Sequence, residues 1–160
     1  MAKGGKAGKG GKPARQDLAR NRKVRYDYEI LDSKEAGVVL VGTEVKSIRA
    51  GNVSLAESFV RFDGSDAYWV SGTIDEYPFG NRLNHDPKRK RKLLLHRQEL
   101  AKLRDVVRQR GFTVIPIALY LSQRGLIKME IALVRGKKRF DKRQDEKKKE
   151  ARRELRREHD

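Results

Sequence analysis

Thr113-Val-Ile-Pro-Ile-Ala-Leu-Tyr-Leu121, then Ser122-Gln-Arg-Gly125, then Leu126-Ile-Lys-Met-Glu-Ile-Ala-Leu-Val134: this stretch decides the fold. Two apolar runs too short for core helices are separated by four turn-forming residues, the pattern of a β-hairpin. In the second run Ile127, Met129, Ile131 and Leu133 share a face. Pro116 has no N–H to donate, which predicts an edge or a bulge at that point. Working outward, Phe59-Val-Arg-Phe62 and Tyr68-Trp-Val70 flank Asp63-Gly64-Ser65-Asp66, a second hairpin whose far strand is expected to run on to Ile74. Val24, Tyr26, Tyr28 and Ile30 alternate with polar residues, predicting a strand from Val24, and Val38 to Val41 after Gly37 reads as another.

Two helices complete the pattern. Thr43 to Ala50 is expected to be helical, with Thr43 as N-cap and Gly51 just past its end. His96 or Arg97 to Arg110 places Leu100, Leu103 and Val107 along one face and stops at Gly111. About six short strands, two helices and no βαβ alternation predict a mainly β protein: a small antiparallel OB-like β-barrel flanked by short helices. The chain divides into a basic, disordered arm over 1–18, an ordered domain over 19–135 and a basic tail over 136–160.

Charge bounds the function. Thirty-nine Lys and Arg against 22 Asp and Glu leave +17 on 160 residues. Residues 1–15 carry five cations and no acid, and residues 136–160 carry twelve cations and seven acids, so the ends supply +10 and the middle keeps +7. A field of that sign favours a polyanion. The absence of cysteine removes disulfide scaffolds, Cys zinc sites and thiol nucleophiles. Three scattered histidines predict no metal site, and no cofactor is expected. The charged, Gly-rich start has no apolar core of a signal peptide, and the longest nearly apolar run is far short of the roughly 20 residues needed to span a bilayer. A cytoplasmic protein with no membrane contact is the expectation.

The constellations then sort by chemistry. Lys88-Arg-Lys-Arg-Lys92 sits in a polar loop, Pro78 to Lys92, with no acid before Gln98, and predicts phosphate contacts. Asn21-Arg-Lys-Val-Arg25 brings cations to the edge of a tyrosine-bearing strand, the rings themselves being expected in the core. Glu35 reads as a turn residue, an acid that could accept hydrogen bonds from base amino groups or a 2′-hydroxyl. His85-Asp86 is the only candidate acid/base pair, yet no hydrolase or nucleotide-binding motif accompanies it, and no catalytic residue is expected. After Gly136, Glu146–Lys149, Glu150–Arg153 and Glu154–Arg157 stand at i,i+3, worth about 0.2–0.5 kcal/mol each to a helix. Ala151 and Leu155 are the only apolar residues after Phe140, so order in this tail is expected only against a partner.

Taken in order, Asn21-Arg-Lys-Val-Arg-Tyr-Asp-Tyr28, Glu35-Ala-Gly37, Gly42-Thr-Glu-Val-Lys-Ser-Ile-Arg-Ala-Gly51, His85-Asp-Pro87, Arg91-Lys-Leu-Leu-Leu-His96, Gly136-Lys-Lys138 and Asp141-Lys-Arg143 closely resemble the small protein B family, the transfer-messenger RNA-binding proteins of bacterial ribosome rescue. The resemblance covers about 21–143. It implies an OB-like barrel that cradles the tRNA-like domain of transfer-messenger RNA through Asn21, Glu35, Leu94 and His96, with Arg22, Arg25, Lys46, Arg49 and Lys128 on the basic faces. It further implies a tail in which Gly136, Lys137, Lys138, Phe140, Asp141, Lys142 and Arg143 enter the decoding centre and empty messenger channel of a stalled 70S ribosome and fold into a helix there. The implied protein is a non-catalytic monomer. Two departures stand out: the run 88–92 is all cations where relatives commonly interpose threonines, and Glu130 stands where some relatives carry a cation.

Overall fold

The computed structural model describes residues 15–137 and 139–158. Among them the chain forms β1 (Gln16–Arg20), α1 (Val24–Asp27), β2 (Tyr28–Val38), α2 (Gly42–Arg49), β3 (Val53–Ser54), β4 (Phe59–Asp63) and β5 (Asp66–Val70). Then follow β6 (Thr73–Ile74), a single 3-10 turn at Asn81–Leu83, β7 (Arg91–Leu94), α3 (Arg97–Val107), β8 (Phe112–Leu121), β9 (Ile127–Gly136) and α4 (Arg139–Glu158). The protein is mainly β with four helices.

Six antiparallel strands close on themselves in the order β8-β4-β5-β7-β2-β9, with β9 returning to β8. This closed ring is the antiparallel closure the short strands predict. Strand β1 adds outside it along the end of β8, and β3 pairs with β6 as a separate ribbon. The two hairpins fall where the turn residues predict, with Gly64 and Gly125 in the left-handed region (φ +59° and +77°). Pro116 resolves to a bulge rather than an edge. It pairs with Ile131, the next pairing is Ala118 with Glu130, and Ile117 is the extra residue. The Ile117 carbonyl takes the N–H of Asn21 at 2.7 Å, which anchors the chain as it leaves β1.

The interior of the ring holds Trp69, Leu93, Leu119, Met129 and Ile131, closed from one side by Leu100 and Leu103 of α3 and elsewhere by Ile48 of α2. The helix α3 buries the face its period predicts. A second cluster lies on the other face of β8 and β9, where Val24, Ile115, Ala132 and Val134 pack with Tyr28, Ile30 and Ile117. Half of β9 is therefore buried on both faces, as its unbroken run Ile131 to Val134 permits.

Several boundaries differ from the sequence expectation. Order does not wait until residue 19: Gln16 to Arg20 pair with β8, so the last residues assigned to the arm belong to the sheet. Residues 1–14, the rest of that expected arm, lie outside the described residues. Val24 opens a helical turn, not a strand, because the chain must cross from the edge of β8 to the edge of β9, and that turn drops Val24 into the second cluster. Strand β2 then runs unbroken for 11 residues, so Glu35 lies mid-strand opposite Glu130 rather than in a turn. Its polar centre reads as a break, but pairing with β9 along nearly its whole length holds it straight apart from a bulge at Leu31. Ser71, at φ +64°, separates β6 from β5. At Gly72 an added Cβ would fall 2.0 Å from the Trp69 indole, so the chain can pass only without a side chain there.

The cap of α2 is also displaced, and the reason is electrostatic. The N-cap is Val41, and Glu44 reaches back to accept its N–H at 2.9 Å. Glu44 is fully buried, as is Arg91, whose Nε donates to Glu44 Oε2 at 2.6 Å. Arg89 donates to Oε1 at 2.5 Å. Arg91 spends its other donors on the carbonyls of Gly72 (3.1 Å), Pro87 (3.0 Å) and Asp86 (3.4 Å). Burial pushes the Glu44 carboxyl up, and the hydrogen bonds from Arg89, Val41 and Arg91 outweigh it, leaving Glu44 below its ordinary value. The stability this contributes is full above the ordinary carboxylate range and is lost as pH falls through the lowered folded value. Glu44→Gln, which leaves a buried guanidinium facing a neutral amide, is expected to cost about 3–5 kcal/mol at pH 7 in urea unfolding. It should also flatten the acid limb of the stability curve; an unchanged acid limb would show that other carboxylates set it.

Candidate nucleic-acid interface

Strand register brings three of the expected RNA-contact residues together. Gly37 of β2 pairs with Leu94 of β7 on one side and with Lys128 of β9 on the other, and Lys128 pairs in turn with Tyr120 of β8. Paired residues point to the same face, and this one is the outside of the ring. Glu35, two residues before Gly37, shares that face. Its Oε1 is 3.3 Å from Lys128 Nζ, and its Oε2 accepts from the Tyr120 hydroxyl. Leu94 is 55% exposed, an uncovered leucine at the end of the rung. It also lines a cavity of about 680 Å³ with Lys92, Arg97 and Arg104. His96, two residues on, is exposed and serves as the N-cap of α3, its carbonyl accepting from Leu100 at 2.9 Å.

The other expected residues form separate groups. Asn21 is half-buried, its Nδ2 3.4 Å from the Leu55 carbonyl, and Arg22 and Arg25 are exposed beside it in sequence. Lys46 and Arg49 lie on α2, both exposed; Lys46 Nζ is 5.3 Å from the centre of the Tyr77 ring, and Arg49 donates to the Gly125 carbonyl at 3.4 Å. That last bond ties α2 to the β8–β9 turn, next to a cavity of about 530 Å³ lined by Glu35, Tyr120, Arg124, Lys128 and Arg15.

The run of five cations at 88–92 is not one phosphate-binding patch. Residues 91–94 are a strand, and its alternation sorts the charges. Arg91 is buried on Glu44 and Arg89 is bound to the same carboxylate, whereas Lys90 and Lys92 are exposed and Lys88 stands outside the ion pair. Lys90 Nζ sits 4.2 Å from the Tyr68 ring centre, and Lys92 pairs with Asp66 at 3.4 Å. Two of the five are structural. His85, the candidate acid/base, is buried: Nε2 donates to the Ile74 carbonyl at 2.8 Å and Nδ1 meets the Thr43 hydroxyl at 2.9 Å. Both ring nitrogens are engaged in holding α2 against the 74–85 segment, which is why Thr43 is not free to cap its helix. Asp86 accepts the N–H of Lys88.

Of the tail residues, Gly136 ends β9, and Lys137 donates its N–H to the Asp27 carbonyl at 3.2 Å and pairs with Asp145. Lys138 lies outside the described residues, as do the side chains of Phe140, Asp141 and Lys142 within α4; Arg143 is exposed. Tyr26 donates to Glu146, so α4 meets the body of the protein through polar contacts at Lys137 and Tyr26. Sequence reasoning missed Arg15 and Tyr120. Arg15 lay inside the expected arm, yet its guanidinium stands 4.4 Å over the Tyr120 ring and 2.5 Å from Glu130. The alternation of β8 placed Tyr120 on the face opposite Leu119, and that was its only signal.

A closed antiparallel sheet with a basic exterior, one acid held among cations and an uncovered leucine defines a polyanion-binding module. The chain matches the family model described as SmpB protein over residues 18–160. It is 50% identical over 129 residues to the SsrA-binding proteins of Brucella canis and Brucella ovis, covering 81% of this chain and 82% of each of theirs. A solved structure of tmRNA-SmpB, described as a journey to the center of the bacterial ribosome, contains a chain 48% identical to this one, with a TM-score of 0.64 over 76% of this chain and 85% of that one. The chain belongs to the SmpB family.

The sorting of the cation run has a measurable outcome. Lys88→Ala and Lys90→Ala are each expected to leave the urea midpoint almost unmoved. Each should also flatten the salt dependence of RNA binding, by roughly 0.7–0.9 in slope for every phosphate left without its cation. Arg91→Ala, of equal charge change, is expected to destabilise the fold by about 3–5 kcal/mol. Equal effects of all three on stability would contradict the alternation.

Proposed function

We propose that this chain is a non-catalytic, cytoplasmic, monomeric RNA-binding protein. It holds the tRNA-like domain of transfer-messenger RNA on its outer face and delivers it to stalled 70S ribosomes for trans-translation. The observation that carries this reading is the rung at Gly37, which gathers Glu35, Leu94 and Lys128 from three separate stretches of sequence onto one exposed face. Cations at Arg22, Arg25, Lys46, Arg49 and Lys128 would neutralise phosphates and position the RNA. Glu35, Asn21 and His96 offer hydrogen bonds to base edges or 2′-hydroxyls, and Leu94 offers an apolar contact. No helix among the described residues is long and apolar enough to cross a membrane.

The tail supplies the second half of the function. Its described contacts with the body are polar, a part-buried ion pair of Lys137 with Asp145 and an exposed hydrogen bond from Tyr26 to Glu146. Contacts of this kind can be exchanged for those of a partner. Residues Gly136, Lys137, Lys138, Phe140, Asp141, Lys142 and Arg143 would lead it into the decoding centre and the empty messenger channel, where no codon–anticodon duplex stands. Peptidyl transfer then belongs to the ribosome.

Sequencing the RNA that co-purifies with the protein from cells tests the first half. One dominant transfer-messenger RNA supports the reading, and a broad transcript population overturns it. Deleting 137–160 tests the second. The unfolding free energy should shift by less than about 0.5 kcal/mol and binding to the tRNA-like domain should largely survive, while peptide tagging on stalled ribosomes collapses. Ala151→Pro, which costs about 3 kcal/mol in a helix interior, should reproduce the tagging defect without loss of charge. Full tagging by both variants would remove the decoding-centre role from this tail.

A further inference from the structure

Glu35 is an acid on a surface that otherwise suits phosphate, and its surroundings are more elaborate than an exposed carboxylate needs. Its side chain is 57% exposed, yet both oxygens are occupied, Oε1 by Lys128 at 3.3 Å and Oε2 by the Tyr120 hydroxyl. Tyr120 is 5% exposed, its ring held by strand β8 and roofed by the Arg15 guanidinium at 4.4 Å. Arg15 is fixed in turn by Asp17 at 2.9 Å and Glu130 at 2.5 Å. Glu130 lies directly opposite Glu35 across β2 and β9, a like-charge pair that alone would be unfavourable. The cations divide the work: Arg15 holds Glu130, and Lys128 holds Glu35.

We propose that Tyr120 is the positioning residue of Glu35, its buried hydroxyl aiming the carboxylate so that its two remaining lone-pair directions accept a base amino group or a 2′-hydroxyl of bound RNA. The inference rests on the RNA-binding function proposed above and adds the device that gives it selectivity. An ionised carboxylate has about four acceptor sites and no donor. With one site on each oxygen used by Tyr120 and Lys128, two remain for a ligand in the cavity that Glu35 lines together with Arg124 and Leu126. A phosphate, which also only accepts, is refused at that point, while an N–H or O–H donor is welcome. The surrounding cations attract any RNA; the fixed acid selects one that places a donor there.

The protonation states suit this arrangement. The hydrogen bond from Tyr120 is the largest influence on Glu35 and lowers its carboxyl; partial burial opposes it, and Lys128 and Arg15 reinforce it. Burial first, and then the Glu35 carboxylate, hold the Tyr120 phenol well above its ordinary value. The phenol thus stays the donor and the carboxylate the acceptor through neutral pH. The charged and titratable groups around Glu35 are Tyr120 on β8, Lys128 and Glu130 on β9, Arg15 and Asp17 at β1, and Arg124 in the β8–β9 turn; on the β7 side the neighbour of Gly37 is Leu94. None is a histidine, and Glu35 is the carboxyl that the Tyr120 hydrogen bond lowers.

The test uses the full chain and a transcript of the tRNA-like domain, with a generic RNA duplex as comparison. Tyr120→Phe keeps the ring and removes the hydroxyl. It should weaken binding to the tRNA-like domain about tenfold at pH 7, the loss expected of one hydrogen bond to a charged group. Binding to the duplex and the salt slope should not change. Because Glu35 loses its main lowering influence, affinity in the variant should fall off at higher pH on acidification than in the wild type. In the Glu35→Gln background, Tyr120→Phe should add little further loss, whereas a merely structural tyrosine would add the same loss as before. Unchanged affinity, equal loss on both RNAs, an unmoved acid limb or full additivity would each overturn the proposal while leaving the RNA-binding function standing. A wild-type protein with no preference for the tRNA-like domain would instead bring down both.

Discussion

A carboxylate buried without partners would take up a proton or unfold its surroundings. Glu44 is fully buried and does neither, because two guanidinium groups and a backbone N–H converge on it. The rest of the architecture hangs on this clasp. It starts α2, fixes the end of β7 against that helix, and through Arg91 gathers the carbonyls of Gly72, Asp86 and Pro87. The long connection from β6 to β7 makes few backbone pairings of its own, so these bonds, with the two that His85 makes, give it a fixed course. The β7 edge of the RNA-facing row is set by the same contacts: Leu94 reaches its place beside Gly37 only because Arg91, three residues earlier, is anchored inward.

Much of the fold was legible because its signals are periodic. The β4–β5 and β8–β9 hairpins and helix α3 each have a buried face repeated often enough to show its period, and glycines stand where the chain turns. What escaped lacks that repetition. Four residues at Val24–Asp27 cannot distinguish a helical turn from a strand, and Val24 is buried either way. The centre of β2, Leu31-Asp-Ser-Lys-Glu35, has the composition of a turn, and only pairing with β9 keeps it extended. Strand pairing is a long-range fact that local composition does not carry.

The site follows the same division. Resemblance supplied the names Glu35, Leu94 and Lys128, but their meeting depends on a shared rung across β7, β2 and β9. Charge counting misjudged Lys88 to Lys92 because a count has no inside and outside. The available clue was a glutamate without a nearby partner in a helix that also carries Ile48, both of them core-facing. Arg15 was hidden by composition: it is the last cation of a Gly-rich stretch, yet it engages the sheet. Glu130 finds in Arg15 the counter-charge that makes the acid tolerable here.

The chain has one tryptophan, Trp69, fully buried, with the Arg91 guanidinium 5.2 Å from its ring and the Gly72 backbone pressed against its indole. Its indole N–H has no hydrogen-bond partner among the described residues. The only strong intrinsic fluorophore of the protein therefore sits against the buried ion pair. Its emission is a built-in optical gauge of that one spot: opening of the clasp admits water to the indole and shifts the spectrum to the red, while rearrangement of the tail leaves it untouched.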